Sequence, residues 1–269
     1  TMMHDHGHYL QNRVDSVLLP PLIHLIMKSL LCLTLSSLLS ALASAQVAAP
    51  PAADGTINIT DWVVIGDKAK AFGPTQDGGN IIFTGPAFGD KGRSEAAFFP
   101  KTDLAEGETL ELNAKASFTG VSGMGNFRFG IYQKRSRDHS RGWLGYTAYA
   151  GIDKKFPKGG LFASEPGNDD SYDKATTRVL GESTVPFRNI KDDVYFLNMT
   201  LKMSNGQIEV SASLSPEATP GVPIAQYSGV DSQPATSTFD ALGFNTHELL
   251  SSDTFELSDV SLKLLPNQP

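Results

Sequence analysis

Leu197, Met199, Leu201 and Met203 alternate with other residues up to Asn205-Gly206, and Ile208, Val210, Ala212 and Leu214 alternate away from it. A period of two sets all these apolar residues on one face of an extended chain, which a helix does not do. Asn-Gly at the centre suits a type I′ turn, whose two central residues both need positive φ. A two-residue turn then pairs Met203 with Ile208, Leu201 with Val210, Met199 with Ala212 and Leu197 with Leu214. It also sets Lys202 opposite Glu209 on the other face. The pattern predicts an antiparallel hairpin with one buried face and one wet face.

The same period recurs in Leu110, Leu112, Ala114, Ala116 and Phe118, interleaved with Glu111, Asn113, Lys115 and Ser117. Further strands are expected at Asn80–Phe83, Glu95–Phe99, Phe127–Tyr132, Trp143–Ala150 and Ala241–Phe244. Near the end, Phe255 and Leu257 are in one phase while Val260, Leu262 and Leu264 are in the other. A bulge at Ser258-Asp259 would return all five to one face. After the first forty-five residues no segment has the pattern of a long amphipathic helix. Many short strands joined by Gly- and Pro-rich connections predict an all-β sandwich or barrel. Gly151 to Pro186 lacks strand pattern and is expected as a long loop.

Met27-Lys28, the apolar run Leu30 to Leu42 and the exit Ala43-Ser44-Ala45 together have the form of a secretory signal peptide cleaved after Ala45. Residues 1–26 are then expected to be an upstream mis-start or leader extension. The competing reading, a membrane anchor from Val17 to Ala45, is interrupted by Pro20-Pro21, His24 and Lys28. Residues 46–55 form a flexible lead-in, and 56–265 a single β-sandwich domain with no stable membrane insertion after cleavage. The lone cysteine, Cys32, lies in the signal, so the exported part has no disulfide or thiolate. The net charge of −7 argues against nucleic acid as a partner.

Three stretches carry a resemblance. Ala241 to Leu265 (ALGFNTHELLSSDTFELSDVSLKLL), Thr102 to Phe118 (TDLAEGETLELNAKASF) and Asn126 to Gln133 (NFRFGIYQ) are similar to strands of concanavalin A-like lectin/glucanase domains of secreted bacterial type. The resemblance implies a jelly-roll sandwich of two antiparallel sheets, one of them sugar-facing. It does not imply catalysis, since this architecture hosts lectins, hydrolases, lyases and inert modules. The Glu-x-Asp-x-x-Glu spacing of its glycoside hydrolases is absent, so no carboxylate pair stands ready to flank a glycosidic bond. Arg93-Ser94-Glu95 and Tyr132-Gln133 are similar to two elements of alginate-lyase-like sandwiches. The second arginine of the first element and the Gln-x-His element of that family are missing.

The candidate ligand contacts follow from residue type. Arg128 and Tyr132 share one face of their strand, where a lyase would need a charge-neutralising group and a base. Arg135 and Arg137 belong to a basic run, Lys134 to Arg141, in an acidic chain. Arginine forks onto the carboxylate or sulfate of an anionic polysaccharide, although such a run also suits a solvated hairpin tip. Trp143 and Tyr149 flank Gly145 and Thr147 on one side of a strand. That side is either open to a stacking sugar ring, or it is the core and Tyr146 is outside. Asp169, Asp170 and Asp173 offer oxygen ligands to calcium, though without the full calcium-loop signature.

These residues are read as a non-catalytic carbohydrate-binding or extracellular interaction module, in periplasm or extracellular space, with a polysaccharide or glycan as partner. The alternative is a polysaccharide lyase acting on a uronic-acid glycan. N-terminal sequencing of the exported protein is expected to begin Gln46-Val47-Ala48; retention of Met27 would mean that the leader is not cleaved.

Overall fold

A computed structural model of the chain describes residues 54–65, 75–77, 80–84, 93–123, 125–137, 139, 141–151, 159–167, 178–186, 188–248, 250 and 252–267. These residues form strands and connections and no helix, so none is a helix long and apolar enough to cross a membrane. In chain order the strands are β1 (Thr56–Ile57), β2 (Thr60–Ile65), β3 (Thr75–Asp77), β4 (Asn80–Thr84) and β5 (Arg93–Asp103). Next come β6 (Thr109–Thr119), β7 (Gly125–Gln133), β8 (Leu144–Gly151), β9 (Gly160–Ala163) and β10 (Arg178–Gly181). The last are β11 (Asp193–Ser204), β12 (Gln207–Pro216), β13 (Ala225–Asp231), β14 (Thr238–Glu248) and β15 (Thr254–Leu265).

They make the expected sandwich of two antiparallel sheets. The back sheet runs β13-β12-β11-β6-β15-β4-β3, with β1 paired to β15; the front sheet runs β10-β9-β8-β7-β14-β5-β2. The predicted hairpin is β11–β12, with all four apolar pairs and Lys202↔Glu209 in the register derived above. Asn205 and Gly206 have φ of 54° and 73°, as a type I′ turn requires. The Glu106 carboxylate accepts from both their backbone N–H groups, which fixes the turn to the end of β6's preceding loop. The bulge in β15 lies where the phase change put it, as a register shift between Ser258 and Ser261 with Asp259 at φ 51°.

The two sheets differ in how they are buried. β6 alternates strictly between buried and half-buried residues, because its outer face meets water. β7 is buried at every position from Gly125 to Tyr132 and β8 from Gly145 to Gly151. Between the sheets lies one main core. From the back sheet it takes Tyr227, Ala212, Met199, Leu112 and Leu262, in line across five strands. From the front sheet it takes Ala97, Leu242, Ile131, Tyr146 and Ala163. Phe118 makes edge contact with Phe127 across this space and with Tyr195 on the neighbouring strand of its own sheet. A second, smaller cluster lies on the opposite side of the front sheet and contains Ile65, Ala96, Phe98, Tyr132, Trp143 and Ala241.

Two parts of the chain depart from the sequence reading. Gly151 to Pro186 contains β9 and β10 and is not one long loop. β9 is buried at all four positions, and β10 is a four-residue edge strand, half-buried except at Val179, so neither shows a clear alternating pattern. Asp169, Asp170 and Asp173 fall outside the described residues, as does the whole of residues 1–53.

The turn gives a direct check on the fold. Gly206→Ala forces a Cβ into left-handed backbone and is expected to lower stability by about 1 kcal/mol, read by urea unfolding. An unchanged midpoint would mean that the turn is not type I′.

Candidate functional site

Cross-strand pairing defines what the front sheet presents away from the core. Asn245 on β14, Arg128 on β7, Tyr149 on β8 and Gly160 on β9 lie in one row. The adjacent row is Ala96, Gly243, Gly130, Thr147 and Phe162, and the next is Phe98, Ala241, Tyr132 and Gly145. Ala96, Gly243 and Gly130 in the middle row make room for the larger side chains beside them. At Gly130 a Cβ would come within 2.3 Å of the Tyr132 hydroxyl, so only glycine lets that ring lie along the strand. The hydroxyl thereby reaches Thr147 Oγ1 at 2.8 Å.

Arg128 is the charged centre of this face. Its guanidinium stacks over the Tyr149 ring at 3.9 Å, and its Nε donates to Asn126 Oδ1 at 2.6 Å. Arg128 is 2% exposed and Asn126 is fully buried. A guanidinium tolerates such a place because it is weakly hydrated and stacks on an aromatic face. Asn126 Nδ2 and Ser164 Oγ, at opposite ends of the face, are buried with no hydrogen-bond partner among the described residues. Asn126, Ser164 and Asn245 were not singled out in the sequence; the two-residue offset of Asn126 from Arg128 is the signal that points to the first of them.

Trp143 does not provide an open ring. It is 1% exposed and packs against Phe98 and Tyr132, with ring centroids 6.1 and 6.0 Å away. Its Nε1 donates to Ser136 O at 3.1 Å. Tyr149 is likewise buried, tilted against Phe162 at 4.5 Å. The side of β8 that bears them is the outer one, and Tyr146 on the other side belongs to the main core. Neither reading made from the sequence matches this arrangement, since the outer side is itself buried.

The basic run is a hairpin tip joined to the body by charge. Lys134 pairs with Asp240 through its ammonium, and its backbone N–H donates to the same carboxylate at 2.8 Å. Arg137 pairs with Asp61, which sits at φ 48° in a bulge of β2, and its guanidinium lies 4.7 Å over Phe98. Arg135 and Arg137 are exposed. The lyase-like elements are not brought together: Glu95 pairs with Phe244 on the core side of the front sheet, whereas Arg128 and Tyr132 lie on the other. No group of three or more His, Cys, Asp or Glu among the described residues is placed to hold a metal ion.

At the opening where the sheet edges meet, a buried network ties front to back. Asp231 on β13 accepts from both terminal nitrogens of Arg178 on β10 at 2.8 and 2.7 Å. It also accepts from the Tyr146 hydroxyl at 2.9 Å and the Gln233 N–H at 2.9 Å. Burial would raise the Asp231 pKa, but these hydrogen bonds, led by Arg178, hold it below the usual carboxylate range. Tyr146 is pushed well up, first by burial and then by the Asp231 charge.

With these features in place the comparisons are informative. The structure matches the carbohydrate recognition domain of Emp47p over 84% of this chain and 100% of that one, with a TM-score of 0.50 and 9% sequence identity. The fold is concanavalin A-like. The exoplasmic/lumenal domain of VIP36 in its Ca2+/Man3GlcNAc-bound form gives a TM-score of 0.49 at 13% identity, over 81% of this chain and 90% of that one. A legume lectin-like domain from Entamoeba histolytica gives 0.46 at 10% identity, over 77% and 90%. No family model and no curated protein matches the sequence.

The Asp231 network yields a prediction with a sign. Because its folded pKa is depressed, its contribution is present above the unfolded carboxylate pKa of about 3.9 and is lost as pH falls through the folded value. Asp231→Asn is expected to cost about 2 kcal/mol at pH 7, below the roughly 3–5 of a fully buried pair because Arg178 is 29% exposed. The difference from the parent should shrink toward pH 2 in chemical unfolding. A difference independent of pH would mean that the carboxylate charge is not what holds the two edges.

Proposed function

We propose that this protein is a non-catalytic carbohydrate-binding module that acts outside the cytoplasm, with the outer face of the front sheet as its ligand face. The observation that carries this reading is the polar content of that face. Asn126 Nδ2 and Ser164 Oγ are buried there without a partner among the described residues, on either side of the Arg128–Tyr149 stack. Leaving a buried donor unsatisfied costs about 1–3 kcal/mol, and the hydroxyls of a bound sugar would satisfy it. The fold supports the same reading, since Emp47p's matching domain is a carbohydrate recognition domain.

Arg128 and Tyr149, both buried, would form the floor once that face is uncovered, and the exposed Arg135 and Arg137 the rim. Tyr132 and Trp143 would hold the floor in place from the small cluster beside it. A calcium requirement would rest on Asp169, Asp170 and Asp173, whose carboxylates have the right chemistry for that ion. The signal-like leader accounts for the location.

Glycan-array binding of the purified protein tests the proposal. Binding to at least one saccharide is expected, weakened about tenfold in Arg128→Lys, which keeps the charge and loses the fork and the stack. Chelator in the buffer reads the calcium requirement. Absence of binding across the array, or binding indifferent to Arg128→Lys, would overturn the reading of this face.

A further inference from the structure

On the outer face of the back sheet, between the bulge of β15 and the segment after β12, lies a depression of about 390 Å³. This is within the range of small-ligand sites, roughly 300–1,000 Å³. Phe196 lies in it, 36% exposed, the one aromatic among the large exposed apolar side chains of the described residues.

The groups around Phe196 are arranged by the sheet. Pairing puts Phe196 beside Lys115 on one side, and Asn198 beside Asn113 and Ser213. Asn198 Nδ2 donates to Asn113 Oδ1 at 2.8 Å and to Glu111 Oε1 at 3.2 Å, so the floor is a fixed amide ladder. The Lys115 ammonium lies 5.3 Å over the Phe196 ring, held by Asp259 at 3.0 Å and Glu217 at 3.3 Å. Asp259 owes its position to the bulge, where its left-handed backbone turns the carboxylate over the sheet. It remains 69% exposed on its side chain.

We infer that this depression is a second binding site, for the ring of a neutral sugar, distinct from the front-sheet face proposed above. Lys115 covers one face of the Phe196 ring, so a pyranose ring would take the other, while Asn113, Asn198, Ser213 and Asp259 surround the depression with acceptors and donors for hydroxyls. Charge selects for neutrality. Lys115 is already matched by two carboxylates and Glu111 has Lys263 opposite it, which leaves the local balance negative, so a uronate would be disfavoured.

Two-dimensional NMR of the full chain, titrated with cellotriose, maltotriose or a galacturonic acid trimer, tests the inference. A neutral trisaccharide should perturb the backbone amides of Lys115, Phe196, Asn198 and Ser213. Phe196→Ala should weaken that response about tenfold and Phe196→Trp should preserve it. The uronate should bind this site about fivefold more weakly than the neutral probe or not at all. Perturbation confined to β7 and β8 would overturn this site and leave the front-sheet proposal standing. Perturbation nowhere would overturn this site, as would a Phe196→Ala response equal to the parent's.

Discussion

Apolar side chains from two sheets, meeting in one continuous layer, hold this domain without covalent help. The lone cysteine, Cys32, lies outside the described residues, so the rows through Met199 and Leu112 behind and Ile131 and Tyr146 in front must do what disulfides do in smaller domains. Where the layer opens at the edges of β10 and β13, burial alone does not close it. There Arg178, Tyr146 and Asp231 supply charge-assisted hydrogen bonds across the gap, and the Tyr227 hydroxyl donates to the Tyr149 carbonyl. These ties also position the proposed ligand face: Tyr146 and Tyr149 are on the same strand, and the second carries the Arg128 stack.

The back sheet was legible in the sequence because one of its faces is wet. Alternation there identified β6, β11 and β12, the hairpin register to the residue, and the bulge at Asp259. The front sheet was legible only in outline. Both its faces are buried, so apolar and polar residues no longer report which side is the core. Trp143 shows the effect. Its neighbours Gly145 and Thr147 suggested room for a sugar ring, yet Phe98 and Tyr132, remote in sequence, fill the space beside it. β9 was missed for the same reason, and β10 because a four-residue, mostly half-buried edge strand is too short to mark a face.

The charges divide in a similar way. The run from Lys134 to Arg141 stood out as a sign reversal in an acidic chain, but Lys134 and Arg137 answer to Asp240 and Asp61, which lie far away in sequence. Their pairing makes much of the run a fastening for the hairpin tip. Arg128, by contrast, drew notice as one residue of a strand and proves to be the centre of a buried polar cluster with Asn126 and Tyr149. The stack on Tyr149 and the bond to Asn126 are what let a guanidinium sit there.

A crystal structure of the protein with a bound saccharide tests the central claim most directly. The account predicts sugar density against the outer face of the front sheet, with hydroxyls on Asn126 and Ser164 and the ring within contact of Arg128 or Tyr149. A saturated complex whose front-sheet face carries no sugar would contradict it.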